Sequence, residues 1–294
     1  MNHTRIYPII QALIAAALFG ASAPFAKLLL GAIEPVPLAA FLYLGSGLGV
    51  MLVRWARHVD GRLASTEAQM ERGDLPWLAG AVLAGGVAAP ILLMFSLRNT
   101  PAATAALLLN FEGVATTLIA ALLFNEAIGR RVWLAILFVT AASVLLSWNI
   151  GGEWGISLGA GGVLGACALW GLDNNFTRNV SAKDPLAIVS VKGIGAGIFS
   201  MLLALVLHNP FPGLRSVLGA MLLGSVSYGL SIVLFILAMR SLGAARTSAL
   251  YGTAPFAGAL LSFVIFREAP GALFFAALPL MIAGAALLLG ERHA

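Results

Sequence analysis

The chain has 294 residues, of which 60% are hydrophobic and only 10% are charged, and its mean hydropathy is +0.97. A soluble domain carries roughly a quarter charged residues, so this composition excludes a soluble globular protein and predicts a multi-spanning membrane protein. The formal net charge is +5, but the arginines lie beside apolar runs, where they indicate topology rather than nucleic-acid binding. The single cysteine, Cys167, excludes a disulfide framework and a cysteine-based metal site.

Apolar runs recur along the whole chain, and a helix needs roughly 20 such residues to cross a bilayer. We number them segments 1 to 10: 8–30, 36–55, 76–97, 102–124, 131–149, 157–179, 185–208, 216–240, 245–266 and 271–290. The connections are short except 56–75, which is polar and is a candidate surface helix. Segment 1 imitates a secretory signal at Ala21-Ser22-Ala23, but Pro24 follows the supposed cleavage site directly. We therefore predict that segment 1 is retained as a membrane helix.

The two halves of the sequence repeat one another in order. Residues 17–27 return at 168–178, with the Ala-Leu-Phe-Gly of the first copy becoming Ala-Leu-Trp-Gly in the second. Pro37-Leu38-Ala39 returns as Pro185-Leu186-Ala187, and Leu123-Phe124-Asn125-Glu126 returns as Ile265-Phe266-Arg267-Glu268. This ordered recurrence predicts two homologous repeats of five segments each, residues 1–150 and 151–294.

Lysine and arginine placement predicts the orientation of the chain. If the N-terminus is cytoplasmic, most basic residues fall in cytoplasmic connections, including the group Arg54, Arg57, Arg62 and Arg72. Both termini are then cytoplasmic. Because five is odd, the two repeats would enter the membrane from opposite sides. The fold expected is an all-α membrane protein with ten transmembrane helices in an inverted five-plus-five arrangement and a cavity between the repeats.

These features resemble the drug/metabolite transporter superfamily, in its EamA branch. The resemblance rests on ten segments, on the Ala-Leu-aromatic-Gly motif that opens each half, and on the apolar fourth segments that close in Glu126 and Glu268. It implies export of small metabolites, often amino acids, or of toxic organic compounds. It also implies a cavity lined by segments 1, 3, 4, 6, 8 and 9, with 5 and 10 as support or as a homodimer contact. One departure from the family pattern lies in the fourth segment of the first half. The mid-span proline, present as Pro255 in the second half, is replaced there by Glu112-Gly113.

Three ionisable side chains fall well inside segments: Glu112, Asp173 and Lys192. An isolated charge there costs roughly 2.5–3.5 kcal/mol on insertion scales, so a partner or a wet cavity is expected. Asp173 and Lys192 each lie about 10 Å from the cytoplasmic ends of adjacent segments. They could form a structural ion pair or contact the solute. Glu112 could carry a proton, bind a substrate ammonium group, or bond a neighbouring helix as a neutral carboxyl.

Other candidate cavity residues are aromatic or break the helix. Trp170, Tyr228 and Tyr251 lie near mid-depth, and Phe19 is the counterpart of Trp170 in the first half. Such rings would suit an aromatic solute. Pro24 frees a backbone carbonyl and predicts a kink. At the corresponding stretch of the second half, Asp173, Asn174 and Asn175 offer polar groups instead.

Several function classes lack support in the sequence. The glycine-rich run Gly159–Gly165 fails both the dinucleotide and the Walker spacing, and the four histidines show no catalytic or metal-ligating spacing. We therefore expect no enzyme activity, no metal and no cofactor. The expected protein is a secondary transporter in the bacterial inner membrane, exporting amino acids, aromatic ones first. Drug efflux is the alternative, an intramembrane enzyme or a channel would be a different class, and the direction of transport is left open.

Overall fold

The computed structural model of the protein describes residues 3–59, 70–124, 129–148, 157–180, 183–242, 247, 250–267 and 271–289. Within these ranges every regular element is a helix. The α-helices are His3–Gly20, Ser22–Leu29, Pro35–Val59, Leu75–Ala81, Ala89–Arg98, Ala102–Leu108, Phe111–Phe124, Arg130–Ser147, Leu158–Arg178, Pro185–Val206, Leu214–Leu223, Ser231–Leu242, Ala254–Phe266 and Ala272–Leu289. Each predicted segment therefore contains helix.

Seven described helical stretches are long and apolar enough to cross a bilayer. They coincide with segments 1 to 5, 7 and 8. Segments 9 and 10 hold shorter apolar helices, Ala254–Phe266 and Ala272–Leu287. The helix of segment 6, Leu158–Arg178, is diluted by the polar run Asp173-Asn174-Asn175. The count of ten crossings and the cytoplasmic termini stay predictions.

Segments 1, 4 and 9 are interrupted in mid-helix. Segment 1 breaks at Ala21, between the helices His3–Gly20 and Ser22–Leu29, as Pro24 predicts. Segment 4 breaks between Leu108 and Phe111. In segment 9, Tyr251 is helical, Gly252 and Thr253 form a turn, and the next helix starts at Ala254. The repeated motif that closes segments 4 and 9 recurs after 142 residues. When the two segments are aligned on that offset, their breaks differ by one residue.

Segments 3 and 8 each contain a seven-residue π-helical stretch. The two stretches are Val82–Ala88 and Gly224–Leu230, and they are separated by the same 142 residues as the closing motif. A π-helical turn is rare and occurs frequently at functional sites. Sequence reasoning did not predict either stretch, since their residues continue an ordinary apolar pattern.

Glycines allow the closest helix crossings. A Cβ at Gly20 would lie 2.2 Å from the Ala254 carbonyl oxygen, and one at Gly171 would lie 2.9 Å from Ala115 and Thr116 backbone atoms. Segment 1 thus crosses segment 9, and segment 6 crosses segment 4. Segments 2 and 7 cross where Gly47 faces Gly193. These crossings bring segment 9 against segment 1 and segment 4 against segment 6.

Segments 5 and 10 pack against one another at the edge of the bundle. A Cβ at Gly284 would lie 2.5 Å from a side-chain carbon of Val139. This pairing fits the expected supporting role of the two segments, while the homodimer contact stays a prediction. Glu126, Glu268 and residues 60–69 of the predicted surface helix at 56–75 lie outside the described residues.

Candidate functional site

Glu112 lies in the first turn of the helix Phe111–Phe124, directly after the interruption of segment 4. Its side chain is half-buried. Asn174 of segment 6 donates a hydrogen bond to the Glu112 carboxylate at 2.9 Å and another to the Thr116 hydroxyl at 3.1 Å. The positive end of the helix dipole favours a carboxylate at this position. Two predicted site residues, Glu112 and Asn174, are therefore in direct contact.

Asp173 and Lys192 form an ion pair between segments 6 and 7. The Lys192 ammonium lies 2.5 Å from Oδ1 of Asp173. Lys192 also donates to the Thr177 hydroxyl at 3.2 Å, and that hydroxyl donates to Asp173 at 2.9 Å. The Asp173 side chain is 9% exposed and that of Lys192 is 17% exposed. Of the roles left open by the sequence, this geometry favours the structural one.

The π-helical stretch of segment 3 presents the Gly85 carbonyl to two side chains. The Tyr43 hydroxyl donates to it at 2.6 Å and the Trp170 indole N–H donates to it at 3.0 Å. A Cβ at Gly85 would lie 2.0 Å from Oδ2 of Asp173. Gly85 is thus the point where segments 2, 3 and 6 meet. Trp170 is buried and its indole N–H is used by the backbone.

Aromatic rings from segments 1, 2, 8 and 9 form one connected cluster. The Phe19 ring centroid lies 5.9 Å from that of Tyr228 and 5.5 Å from that of Tyr251. Tyr43 lies 5.8 Å from Tyr228, and Phe235 lies 4.8 Å from Tyr251. Three predicted residues, Phe19, Tyr228 and Tyr251, are therefore neighbours. Phe235 and Tyr43 were not predicted.

The segments that carry the carboxylate and the aromatic cluster pack against one another. Segment 4 contacts segments 6 and 9, and segment 1 contacts segments 8 and 9. Segment 1 joins the aromatic cluster through Phe19, and segment 6 contacts Glu112 through Asn174.

Pro24 is buried and lies four residues after Gly20. Because proline has no N–H, the Gly20 carbonyl loses its helical donor. This carbonyl faces segment 9, where a Cβ at Gly258 would lie 2.5 Å from the Gly20 oxygen. Pro24 therefore influences the contact between segments 1 and 9 indirectly, through the Gly20 carbonyl. It does not itself belong to the aromatic cluster.

Sequence reasoning missed Tyr43, Gly85 and Thr116. Tyr43 is one of only four tyrosines in the chain and lies in an apolar segment, which is a weak signal for a polar partner. Gly85 and Thr116 carry none, since glycine and threonine are common in packed membrane helices. Among the described residues no group of three or more His, Cys, Asp or Glu side chains could hold a metal ion.

Comparison with known proteins decides the family. The profile of the EamA-like transporter family matches residues 6–148 and, a second time, residues 157–290. The chain belongs to this family. The resemblance found in the sequence is thereby confirmed at the level of the EamA-like family, while a specificity for aromatic amino acids stays a proposal.

One sequence relative and one solved structure are similar to this chain. An uncharacterized transporter of Methanothermobacter thermautotrophicus (strain ATCC 29096 / DSM 1053 / JCM 10044 / NBRC 100330 / Delta H) is 29% identical over 281 residues, covering 90% of this chain and 80% of the relative. A protein of known crystal structure is 20% identical, with a TM-score of 0.66 and 94% of each chain covered. That likeness shows the fold alone. An EamA-like multi-pass membrane protein with these apolar helices is a transporter rather than an enzyme.

Proposed function

We propose that the chain is a secondary transporter that exports small metabolites by alternating access, with amino acids, aromatic ones first, as the leading substrates. Its ten segments cross the bacterial inner membrane as two inverted repeats with both termini in the cytoplasm. The solute occupies a central cavity where segments 1, 4, 6, 8 and 9 converge. No cofactor, metal or nucleic acid takes part.

One observation carries this proposal: Glu112 sits at the interruption of segment 4, where Asn174 of segment 6 donates a hydrogen bond to its carboxylate at 2.9 Å. Interrupted helices at equivalent positions of two repeats are how many secondary transporters build a substrate site near the middle of the bilayer. At this break the backbone is hydrogen-bonded within the turn and against segment 6, since the Asn110 N–H donates to the Leu107 carbonyl at 3.1 Å and the Cys167 thiol donates to the Leu108 carbonyl at 3.6 Å.

We assign roles to the side chains on the basis of their contacts. Glu112 faces the amino group of the solute and exchanges it for a proton, which would couple export to the proton gradient. Asn174 orients the carboxylate through its 2.9 Å hydrogen bond. Phe19, Tyr228 and Tyr251 hold the apolar body of the solute. Asp173, Lys192 and Trp170 hold segments 6, 7 and 3 in register around the cavity.

The test is flux of labelled phenylalanine in proteoliposomes, with and without a pH gradient. Glu112→Gln should lower gradient-driven flux at least tenfold, because the group that exchanges proton for solute is gone. Glu34→Gln is the matched control, since Glu34 is a carboxylate that pairs with Arg98 at 2.8 Å outside the cluster, and it should keep flux within about twofold. Glu126→Gln is a second comparison and should also have the smaller effect.

Two results would contradict the proposal. Equal losses in Glu112→Gln and Glu34→Gln would mean that the site lies elsewhere. Flux that is indifferent to the gradient in the wild type would remove Glu112 from proton coupling.

A further inference from the structure

We propose that an anionic phospholipid binds the protein at an apolar crevice between segments 9 and 10. One acyl chain lies in the crevice, and the phosphate lies at the end of segment 9 that carries Arg267. This site is separate from the proposed solute cavity, since none of the candidate cavity residues lines it. The bound lipid is a fixed component of the protein rather than part of the mobile bilayer.

The crevice is large and opens sideways. Its volume is about 590 Å³, whereas a packed protein interior leaves few voids larger than a water molecule. Its floor includes Leu107 of segment 4, which is fully buried, and its open edge includes Leu260 and Ile282, which are 67% and 51% exposed. Both edge residues lie in apolar helices of a membrane protein. The crevice therefore opens toward the hydrocarbon core of the bilayer, and its occupant comes from there.

The wall of the crevice offers almost nothing to a polar ligand. Thr253 is the only residue with a polar side chain among the described residues that line it, and its hydroxyl donates to the Leu250 carbonyl at 2.6 Å. The other lining residues are glycine, alanine, leucine, isoleucine and phenylalanine. A polar group placed there would be desolvated without a hydrogen bond in return. The wall therefore selects a hydrocarbon chain.

The length of the crevice matches one leaflet of the bilayer. At one end, the ring centroids of Phe263 and Phe274 lie 5.2 Å apart. The far end is lined by Thr253 of segment 9 and Ala286 of segment 10. At 1.5 Å per helical residue, the stretch from Thr253 to Phe263 spans about 15 Å, and that from Phe274 to Ala286 spans about 18 Å. Half of a hydrocarbon core of roughly 30 Å is about 15 Å, so one acyl chain entering beside Phe263 fills the crevice.

The end at which the chain enters has a net positive charge. Arg267 follows Phe263 by one turn, and its backbone N–H donates to the Phe263 carbonyl at 3.0 Å. The Lys27 ammonium lies 5.9 Å from the centroid of the Phe266 ring. The connection also contains one acidic residue, Glu268, against these two basic ones. Basic side chains at the membrane surface attract anionic lipid headgroups, so this end suits a phosphate.

An acyl chain in the crevice contacts both interrupted segments. Leu107 lies two residues before the break at Leu109-Asn110 in segment 4, and Gly252-Thr253 is the break in segment 9. The bound chain adds apolar contacts to these helices in their interrupted form. A ligand that binds only the folded protein stabilises it by mass action. Lipid binding should therefore raise the melting midpoint.

The experiment measures lipid bound to the full-length protein and needs no transport assay. The protein is purified in detergent, washed free of its own lipid, and titrated with dioleoylphosphatidylglycerol, an anion, or dioleoylphosphatidylcholine, a zwitterion. Native mass spectrometry counts the lipids and the chains in each complex. We expect one tightly bound phosphatidylglycerol per chain and phosphatidylcholine bound about fivefold more weakly. Phosphatidylglycerol should also raise the melting midpoint.

Three variants test the placement of the lipid. Ala286 is exposed and lines the crevice, so Ala286→Phe puts a ring where the chain lies and should weaken binding about tenfold or more. Ala276→Phe is the matched control, because Ala276 is exposed on the same helix but does not line the crevice. Its affinity should stay within about twofold of the wild type. Arg267→Gln should keep one lipid per chain and reduce the preference for phosphatidylglycerol.

A measurement on the wild type covers the case in which Ala286→Phe does not fold. Phosphatidylglycerol with a diazirine at the end of one acyl chain is bound at one equivalent and irradiated. The cross-links should map to the far end of the crevice, on Thr253, Phe256, Ala285 or Ala286. Cross-links spread evenly over the apolar helices would overturn the inference.

Three further results would also overturn it. The first is an equal loss of lipid binding in Ala286→Phe and Ala276→Phe, or no loss in either. The second is equal affinity of the wild type for the two lipids. The third is a dimer that binds no lipid, which would show that a second copy of the chain covers the crevice. The proposed function is tested separately, because lipid binding is measured without a solute.

Discussion

Among single residues, Gly85 is the one on which the arrangement of the site depends most. Its carbonyl accepts from Tyr43 and Trp170, and its Cα faces the Asp173 carboxylate. Through these contacts, Tyr43 of segment 2 and Trp170 of segment 6 meet the backbone of segment 3 beside Asp173. The ion pair of Asp173 with Lys192 then connects segment 6 to segment 7. A buried polar network of this kind specifies one arrangement when every member is satisfied.

Gly85→Ala should therefore be damaging despite adding one methyl group. The new Cβ would lie 2.0 Å from Oδ2 and 2.3 Å from Cγ of Asp173, and overpacking of this kind typically costs about 1–3 kcal/mol, occasionally more. We expect a lower thermal-unfolding midpoint in detergent and transport reduced at least fivefold. The measurement pairs a melting curve with the proteoliposome flux assay.

Gly161→Ala is the matched control, because Gly161 is also a helical glycine but has nothing within 4 Å of its virtual Cβ. Its melting midpoint should not fall. A Gly85→Ala protein that melts and transports like the wild type would show that the network around Gly85 does not position the site.

The ionisable residues of the site could be found from the sequence, but their arrangement could not. Glu112, Asp173 and Lys192 stand out because charged side chains are rare in apolar segments. The contacts at the Gly85 carbonyl could not be predicted, because a π-helical stretch changes the backbone and leaves the apolar pattern as it is. The sequence carries no signal that Tyr43 and Trp170 donate to the same carbonyl.

At the scale of elements, the interruption of segment 1 is the feature most open to a direct test. Pro24 leaves the Gly20 carbonyl without its helical donor, and Gly20 is the residue at which segment 1 meets Ala254 and Gly258. Pro24→Ala restores the N–H and favours a continuous helix. We expect a folded yield close to that of the wild type and a maximal transport rate lowered about three- to tenfold.

Pro279→Ala provides the control for this change. Pro279 lies inside the helix Ala272–Leu289, in the supporting segment 10, so removing it should leave the transport rate within about twofold. Equal effects of the two substitutions would mean that the bend in segment 1 has no special part in transport.

Element positions could be predicted well where a single physical signal dominates. Apolar length located the segments, and Pro24 located the break in segment 1. The breaks in segments 4 and 9 were harder, because Leu109-Asn110 and Gly252-Thr253 differ in sequence although they occupy equivalent places. In segment 9 the break has local signals, Gly252 in the turn and Pro255 in the first turn of the following helix, whereas Leu109-Asn110 of segment 4 contains neither glycine nor proline.

At the scale of the whole molecule, the account depends on two repeats of opposite orientation. The contacts agree with a pseudo-two-fold relation, since Gly20 in segment 1 meets segment 9 as Gly171 in segment 6 meets segment 4. The repeat itself was readable from the sequence. Its orientation follows from the placement of basic residues and from the odd number of segments in each repeat.

The most direct measurement is therefore the sidedness of two cysteines at nearly equivalent positions. Gly73 and Gly213 are exposed, and neither has an atom within 4 Å of its virtual Cβ, so single cysteines can be placed there in a Cys167→Ser background. A membrane-impermeant maleimide should label Gly213→Cys in intact cells and Gly73→Cys only in inside-out vesicles. Labelling of both cysteines from the same side would contradict the inverted repeat and, with it, the central cavity.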